Sequence, residues 1–341
     1  MNTVPRKGFR ARVLQGMRAA SYWRVACGAA RVRGCATLLM YHSVPSPSSE
    51  RFVDPAWRLS PAVFERQLRF MVRRCRVVSL TALVKDLRAG RKVEPGTVVI
   101  TFDDGYVDTL QIAAPILARY GLPATLYLPT AYIADAEPQW VDRLYTAFAF
   151  RTRDRLTCGD RRMSLASTSE RLSAYDGLRD RLRAAAYNER RQVLDEVWRA
   201  LRPTVSMPRM TLTWSDVRQL VRRYPLFEIG GHSVHHADLS ACAGGAVRSE
   251  VRGCVEDIGD EIGLAPRHFS FPYGRTTTRA RQEVIDAGFE SAVCAGGSLS
   301  IDGHADRFAM GRVDPNVAMG EFRFWSSGAF ASYTRINRGA A

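Results

Sequence analysis

The sequence predicts an α/β fold built on a parallel sheet or barrel, and three observations carry the prediction. Strand-like runs alternate with helix-like stretches along most of the chain, as in successive βαβ units. The run Val98-Val99-Ile100-Thr101-Phe102 is apolar on both faces, which suits a strand buried between two layers. It ends abruptly in Asp103-Asp104-Gly105. Two adjacent carboxylates at a strand end are costly unless something uses or neutralises their charge. Gly105 lets the chain turn away with no Cβ in the path. An Asx turn capping the next helix accounts for one aspartate well and for two poorly, so the pair is read as part of a site.

Each element follows in order. Residues 1–35 form an arginine-punctuated lead-in, expected to be helical in part. Ala36–Tyr41 is a core strand ending at His42, followed by a loop over residues 43–50 with two prolines. Ser60 is an N-cap, Pro61 fits the first helical position, and Phe64, Leu68 and Met71 make an apolar stripe. A short strand over 77–80 leads to a helix over 81–89 closed by Gly90. After the Val98–Phe102 run come a helix over 108–120 with Gly121 as its C-terminal signal and a strand over 123–129. The rhythm breaks near residue 135. From Trp140 to about Pro208 the chain reads as helical and arginine-rich, without strand patterns, with one helix over roughly 178–201. It resumes with strands over 227–232, 268–273, 288–294 and 308–313 and helices over 246–263 and 277–287. The expected organisation is a basic arm (1–35), a catalytic domain (36–330) with a helical insertion at about 135–212, and a tail (331–341).

The 341 residues suffice for a large core, and 46% hydrophobic with 24% charged residues is ordinary for a globular chain. No apolar run is long enough to span a bilayer. The formal net charge is +15, and residues 1–49 contain no Asp or Glu while carrying eight basic residues between Arg6 and Arg33. Such an arm could touch anionic lipid, nucleic acid or an acidic polymer. No recognisable nucleic-acid-binding module accompanies it, so no nucleic-acid partner is expected. Arg24, Arg31 and Arg33 interrupt the apolar stretch a secretory signal needs, and the expected location is cytoplasmic, with peripheral contact at the inner membrane through residues 1–35. Seven cysteines at positions 27, 35, 75, 158, 242, 254 and 294 have no CxxC spacing and read as reduced thiols.

The second informative cluster is His232-Ser233-Val234-His235-His236, which holds three of the six histidines. His232 and His236 stand four apart, a spacing at which one helical turn would put both imidazoles on one face. Asp104 with these two gives an N,N,O set with an open position, the pattern of a catalytic metal. Zinc suits it first, and cobalt, nickel or iron would also fit. His235 is expected to point away. Asp103 stays free to take a proton from a water acidified by the metal.

At this point the chain resembles the polysaccharide deacetylases, the NodB-homology group (carbohydrate esterase family 4). Thr101–Gly105 matches their Thr-Phe-Asp-Asp-Gly motif, His232–His236 their His-Ser/Thr-x-x-His, and Phe269–Gly274 the Pro-Tyr-Gly ending of a third. The resemblance implies a distorted (β/α) barrel and metal-dependent removal of an N- or O-acetyl group from a glycan. By position, Asp103 is the base, Asp104, His232 and His236 hold the metal, and the Tyr273 backbone N–H stabilises the oxyanion, with Pro272 and Arg312 as substrate contacts. The chain departs from the family in three ways. Ser270 stands where many members carry an arginine that contacts the base, so another residue must restrain Asp103, and Arg312 is the candidate. No Leu-x-His follows Tyr273 to supply a general acid. His42 takes that role instead, because an N-terminal Tyr-His resembles the branch with a circularly permuted barrel. The insertion is the third departure. A weakened relative that only binds glycan is the alternative function, with a basic nucleic-acid-binding protein ranked behind it.

Overall fold

In the computed structural model, residues 34–327 are described apart from 244, 296–298 and 300. The basic arm up to residue 33, with Cys27, and the tail 331–341 lie outside the described residues, so the expected membrane contact lies there too. Seven parallel strands close on themselves in the order β1 (Ala36–Tyr41), β10 (Met310–Val313), β9 (Ser291–Cys294), β8 (His268–Ser270), β7 (Phe227–Gly231), β4 (Ala124–Leu128) and β3 (Thr97–Phe102), which returns to β1. The N-terminal strand is therefore the closing one. It pairs with β3 from Ala36↔Thr97 to Tyr41↔Phe102 and with β10 at Leu38↔Arg312. A short β2 (Arg76–Val77) adds to the start of β3. The expected α/β barrel is the fold.

Period-two alternation along β3 divides its buried side chains between two layers. Val98, Ile100 and Phe102 pack outward with Phe64, Leu68 and Met71 of α1 (Pro61–Arg74), while Val99 faces inward with Leu38, Tyr127, Val293 and Met310. Ser60 caps α1, accepting from the Val63 N–H, and Ser79 caps α2 (Leu80–Arg88) in the same way, which ends the expected strand over 77–80 after Val77.

The helix expected over 108–120 is broken into a π turn at Thr109–Ala113 and α3 (Ala114–Arg119). Pro115 is the cause: it lacks an N–H and its ring crowds the carbonyl four residues back, so the turn ahead of it widens. After α4 (Thr130–Asp135) and α5 (Trp140–Ala149) the insertion departs from the expected all-helical segment. An antiparallel hairpin, β5 (Arg155–Cys158) with β6 (Arg161–Ser164), precedes α6 (Thr168–Ala184) and α7 (Tyr187–Leu201). The hairpin is short and half exposed, with arginines at three of its eight strand positions; β5 alternates over only four residues and β6 not at all, too little to announce a strand pair. The helix expected over 178–201 is two helices, because Ala185 and Ala186 are both extended. This region has its own core, in which Leu144, Phe148, Leu156, Leu182, Val197 and Leu201 are buried.

The chain then returns to the barrel through α8 (Trp214–Arg223), α9 (Ala246–Ile262) and α10 (Thr278–Asp286), and α11 (Met319–Ser326), which the sequence reading did not place, covers the β1 end. No described helix is long and apolar enough to cross a membrane. Among the described residues Cys75, Cys158, Cys242 and Cys254 form no disulfide.

Candidate active site

The alternation that points Val99 and Thr101 into the barrel also points Asp103 inward, at the C-terminal mouth. Its backbone N–H still donates to the Tyr41 carbonyl at 3.0 Å, so it remains in the ladder. Asp104 does not. Its φ is +73°, followed by +65° at Gly105, and this left-handed pair swings the second carboxylate across the strand ends. Two neighbouring acids thus enter different surroundings. A Cβ at Gly105 would lie 2.6 Å from Ile133 Cδ1, whereas at Gly121, with φ +62°, it would meet nothing. Gly105→Ala is expected to cost about 1–3 kcal/mol in urea unfolding, more than Gly121→Ala, which isolates the backbone term. Equal losses would remove the steric argument.

Asp103 is gripped by Arg312. Arg312 Nη1 donates to Oδ1 at 2.7 Å and Nη2 to Oδ2 at 2.6 Å, a fork that leaves both charges nearly inaccessible, at 4% and 3% exposure. Nη2 also donates to Ser270 Oγ at 2.8 Å, and Nη1 to Thr101 Oγ1 at 3.0 Å. Ser270, where an arginine was missed in the sequence, is small enough to admit a guanidinium from β10 and polar enough to bind it. Burial alone would raise the Asp103 pKa, but Arg312, with help from His232, holds it below the usual carboxylate value. The geometry makes Arg312 a restraint on Asp103. With both terminal nitrogens engaged below the mouth, it is not placed to contact substrate.

The histidines arrive from β7. Gly230 and Gly231 leave room for Tyr127, His268 and Cys254, each of which would lie within 2.8 Å of an added Cβ. Residues 232–236 are a loop, not the expected helical turn. Ser233 (φ +62°) and His236 (φ +50°) adopt left-handed conformations that fold the loop back and bring the two imidazoles to 4.8 Å. His232 Nδ1 donates to the Ser270 carbonyl at 2.6 Å, which leaves Nε2 facing the site. Burial lowers the His232 pKa to about 4 against the pull of Asp103, so the ring is neutral at pH 7. His235 points away, paired with Glu250 at 2.7 Å.

Asp104 Oδ1 lies 3.3 Å from His236 Nε2 and 3.6 Å from His232 Nε2. It is buried, yet it makes no well-aligned hydrogen bond among the described residues. One oxygen and two imidazole nitrogens, all within 4.8 Å of one another, form an N,N,O donor set converging on a common point. An orphaned carboxylate oxygen facing two imidazoles fits a divalent cation. Burial would raise the Asp104 pKa, but His236, with His42 and His232, draws it below the ordinary value.

The rim carries the remaining expected residues. His42 follows Tyr41 directly, is half-buried, and lies against Trp57 with ring centroids 4.8 Å apart. Its charge acts on both Asp103 and Asp104. Pro272 opens a tight turn, Pro272–Gly274, in which Tyr273 has φ +58° and stacks edge-on with His236 at 4.7 Å. His304 is exposed in its loop.

Several participants escaped the sequence reading. Gln139 Nε2 donates to the Asp104 carbonyl at 2.8 Å, and Trp140 Nε1 to the Tyr273 hydroxyl at 3.1 Å. Asp142 accepts from Tyr106 Oη at 2.7 Å, and burial pushes its pKa up to about 8. Asp108 accepts from the Ser43 hydroxyl and the Val44 N–H, and burial takes it up to about 6. Gln139, Trp140 and Asp142 come from the start of the insertion, where only a Gln-Trp pair at a helix start hinted at them.

Acids and imidazoles gathered where parallel strands end define a barrel hydrolase. The family described as polysaccharide deacetylase matches residues 90–152 and 180–292, more than half of the chain. The chain belongs to the polysaccharide deacetylase family. The match passes over residues 153–179, which hold the hairpin and the first part of α6. Among curated proteins, Bacillus subtilis (strain 168) YxkH, whose name places it with polysaccharide deacetylases, is 33% identical over 93 residues, or 27% of this chain and 30% of YxkH. The chain thus matches less than a third of that relative's length. Among solved structures it is similar to the Streptococcus pyogenes deacetylase PplD in complex with acetate (TM-score 0.55, 15% identity, covering 86% of this chain and 99% of that one). It is also similar to IcaB from Ammonifex degensii (TM-score 0.55, 17% identity, 87% and 97% covered). At such identities the likeness speaks for the fold.

Proposed function

We propose that the chain is a metal-dependent deacetylase that hydrolyses an N- or O-linked acetyl group of a polysaccharide or other acetylated sugar. The observation that carries this is the orphaned Asp104 Oδ1 facing His232 and His236, with a second aspartate held ionised beside them. Asp104, His232 and His236 would hold the ion, zinc in the first instance. When bound, such a cation lowers the pKa of water from ~15.7 toward ~7 and polarises a carbonyl.

The chain's own residues do the rest. Asp103 accepts the proton of the attacking water as its oxygen adds to the acetyl carbon. The Tyr273 backbone N–H, turned by its left-handed φ, donates to the developing oxyanion, a bond typically worth about 3 kcal/mol. His42 donates a proton to the departing amine or alcohol as the bond to the acetyl carbon breaks, releasing acetate. Trp57 and Pro272 line the approach beside His42 and Tyr273. The glycan-binding alternative drew on the missing arginine before Pro272. It loses that support, since Arg312 brings a guanidinium to the same carboxylate from β10.

The test is elemental analysis of wild type beside Asp104→Ala and His236→Ala. About one divalent ion per chain in wild type and little in either variant is the expected result, followed by acetate release from acetylated glycans by wild type alone. A wild type that neither carries nor takes up zinc or cobalt would sink the reading.

A further inference from the structure

The two imidazoles of the site are held by different means. His232 is oriented through its ring, by the bond from Nδ1 to the Ser270 carbonyl. His236 Nδ1 is buried and has no hydrogen-bond partner among the described residues. A ligating histidine ordinarily owes its orientation to a partner on that second nitrogen. His236 is fixed through its backbone instead. Its φ of +50° is an unfavourable one for a non-glycine residue and needs surroundings that over-determine it. Its carbonyl accepts from the Tyr273 hydroxyl at 3.2 Å and from Arg190 Nη1 at 3.4 Å, and Arg190 Nη1 also reaches the His235 carbonyl at 3.3 Å.

Arg190 comes from α7 of the insertion. Its Nε donates to the Leu182 carbonyl at 2.9 Å and its Nη2 to the Ala185 carbonyl at 3.2 Å, both at the C-terminal end of α6. The side chain is 1% exposed and lies 5.5 Å from the Trp140 ring centroid. Among the described residues no carboxylate stands within ion-pair distance of it. Its charge is offset by the negative end of the α6 dipole and by a ring of carbonyl oxygens. Arginine suits the place because one planar fork donates in three directions, which an ammonium cannot do from a single point.

We infer that Arg190 is a positioning residue that clamps the His235–His236 backbone to the insertion, and that the insertion thereby sets the affinity of the site for its cation. This rests on the reading of Asp104, His232 and His236 as a metal site. The insertion becomes a brace for a ligand loop, in addition to any part in shaping a substrate groove.

The experiment is Zn2+ affinity, measured by competition with a chelating dye, on full-length wild type, Arg190→Lys, Tyr273→Phe and Leu201→Ala. Melting of each metal-free protein is followed in parallel. Leu201 is buried in the insertion core and touches none of these bonds, so it reports general loosening. Arg190→Lys is expected to weaken Zn2+ by about 10- to 100-fold and Tyr273→Phe by a smaller factor, while Leu201→Ala lowers the melting temperature and leaves affinity within twofold. If Arg190→Lys does not fold, Tyr273→Phe decides, and wild-type affinity there overturns the clamp. A loss of affinity in Leu201→Ala as large as in Arg190→Lys overturns it too. Wild type that binds Zn2+ equally with both clamp variants overturns the clamp alone; wild type that binds none overturns the metal site and the clamp together.

Discussion

Asp103→Asn is expected to lower acetate release by about 10²–10⁴-fold while leaving the metal content at one ion per chain. The amide keeps the size of the carboxylate and cannot accept the proton of the attacking water. Metal content should hold because Asp104, turned away by its left-handed backbone, belongs to a separate donor set. The two readouts must therefore part: activity falls and metal stays. Parallel loss of both would mean that Asp103 is itself a ligand. Retained activity would remove it as the base.

The second large effect is expected in stability. Arg312→Met removes the guanidinium from a pair buried on all sides and leaves Asp103 charged without a partner, a change that typically costs about 3–5 kcal/mol. Urea unfolding at pH 7 would show it. The size of the loss should also depend on pH, and the sign follows from the direction of the shift. Folding lowers the Asp103 pKa below its unfolded value of about 3.9. The contribution of the pair is therefore complete above about pH 4 and is lost as pH falls through the folded value. In the variant only burial and the weaker pull of the imidazoles remain, so the acidic limb of any surviving activity should move to higher pH. A variant as stable as wild type at pH 7 would show that methionine packing repays the lost pair.

The site was legible where its chemistry is local in sequence. Thr101–Gly105 and His232–His236 each place two functional groups within five residues, and β-strand periodicity alone aims Asp103 inward. The strand at 36–41 was legible to the residue, because six consecutive buried positions leave no other periodicity. The geometry between the histidines was not. A spacing of four suggested a helical turn, and only two left-handed residues, Ser233 and His236, bring the rings together. Arg312 could be offered as a candidate because Ser270 left a charge to be matched, but its reach depends on which strand closes the barrel beside β3. The insertion was the least legible part. Its hairpin alternates over the four residues of β5 alone, and its contributions to the site, Gln139, Trp140 and Arg190, act through carbonyls and a hydroxyl that any sequence would offer.

The closing position of β1 has a consequence for the order of assembly. Asp103 lies early in the chain and Arg312 lies 209 residues later, on the strand that docks against β1. At about 5–20 residues per second of synthesis, roughly 10–40 s separate the appearance of the carboxylate from that of its counter-charge. Through that interval the mouth of the barrel is an open sheet edge holding an acid that water must keep solvated, and the helices of the insertion are complete before the gap can be sealed. The chain thus makes its reacting groups first and the restraint on its base last. A nascent chain stalled before residue 310 would have every metal-site residue and still lack the wall that keeps Asp103 dry and fixed.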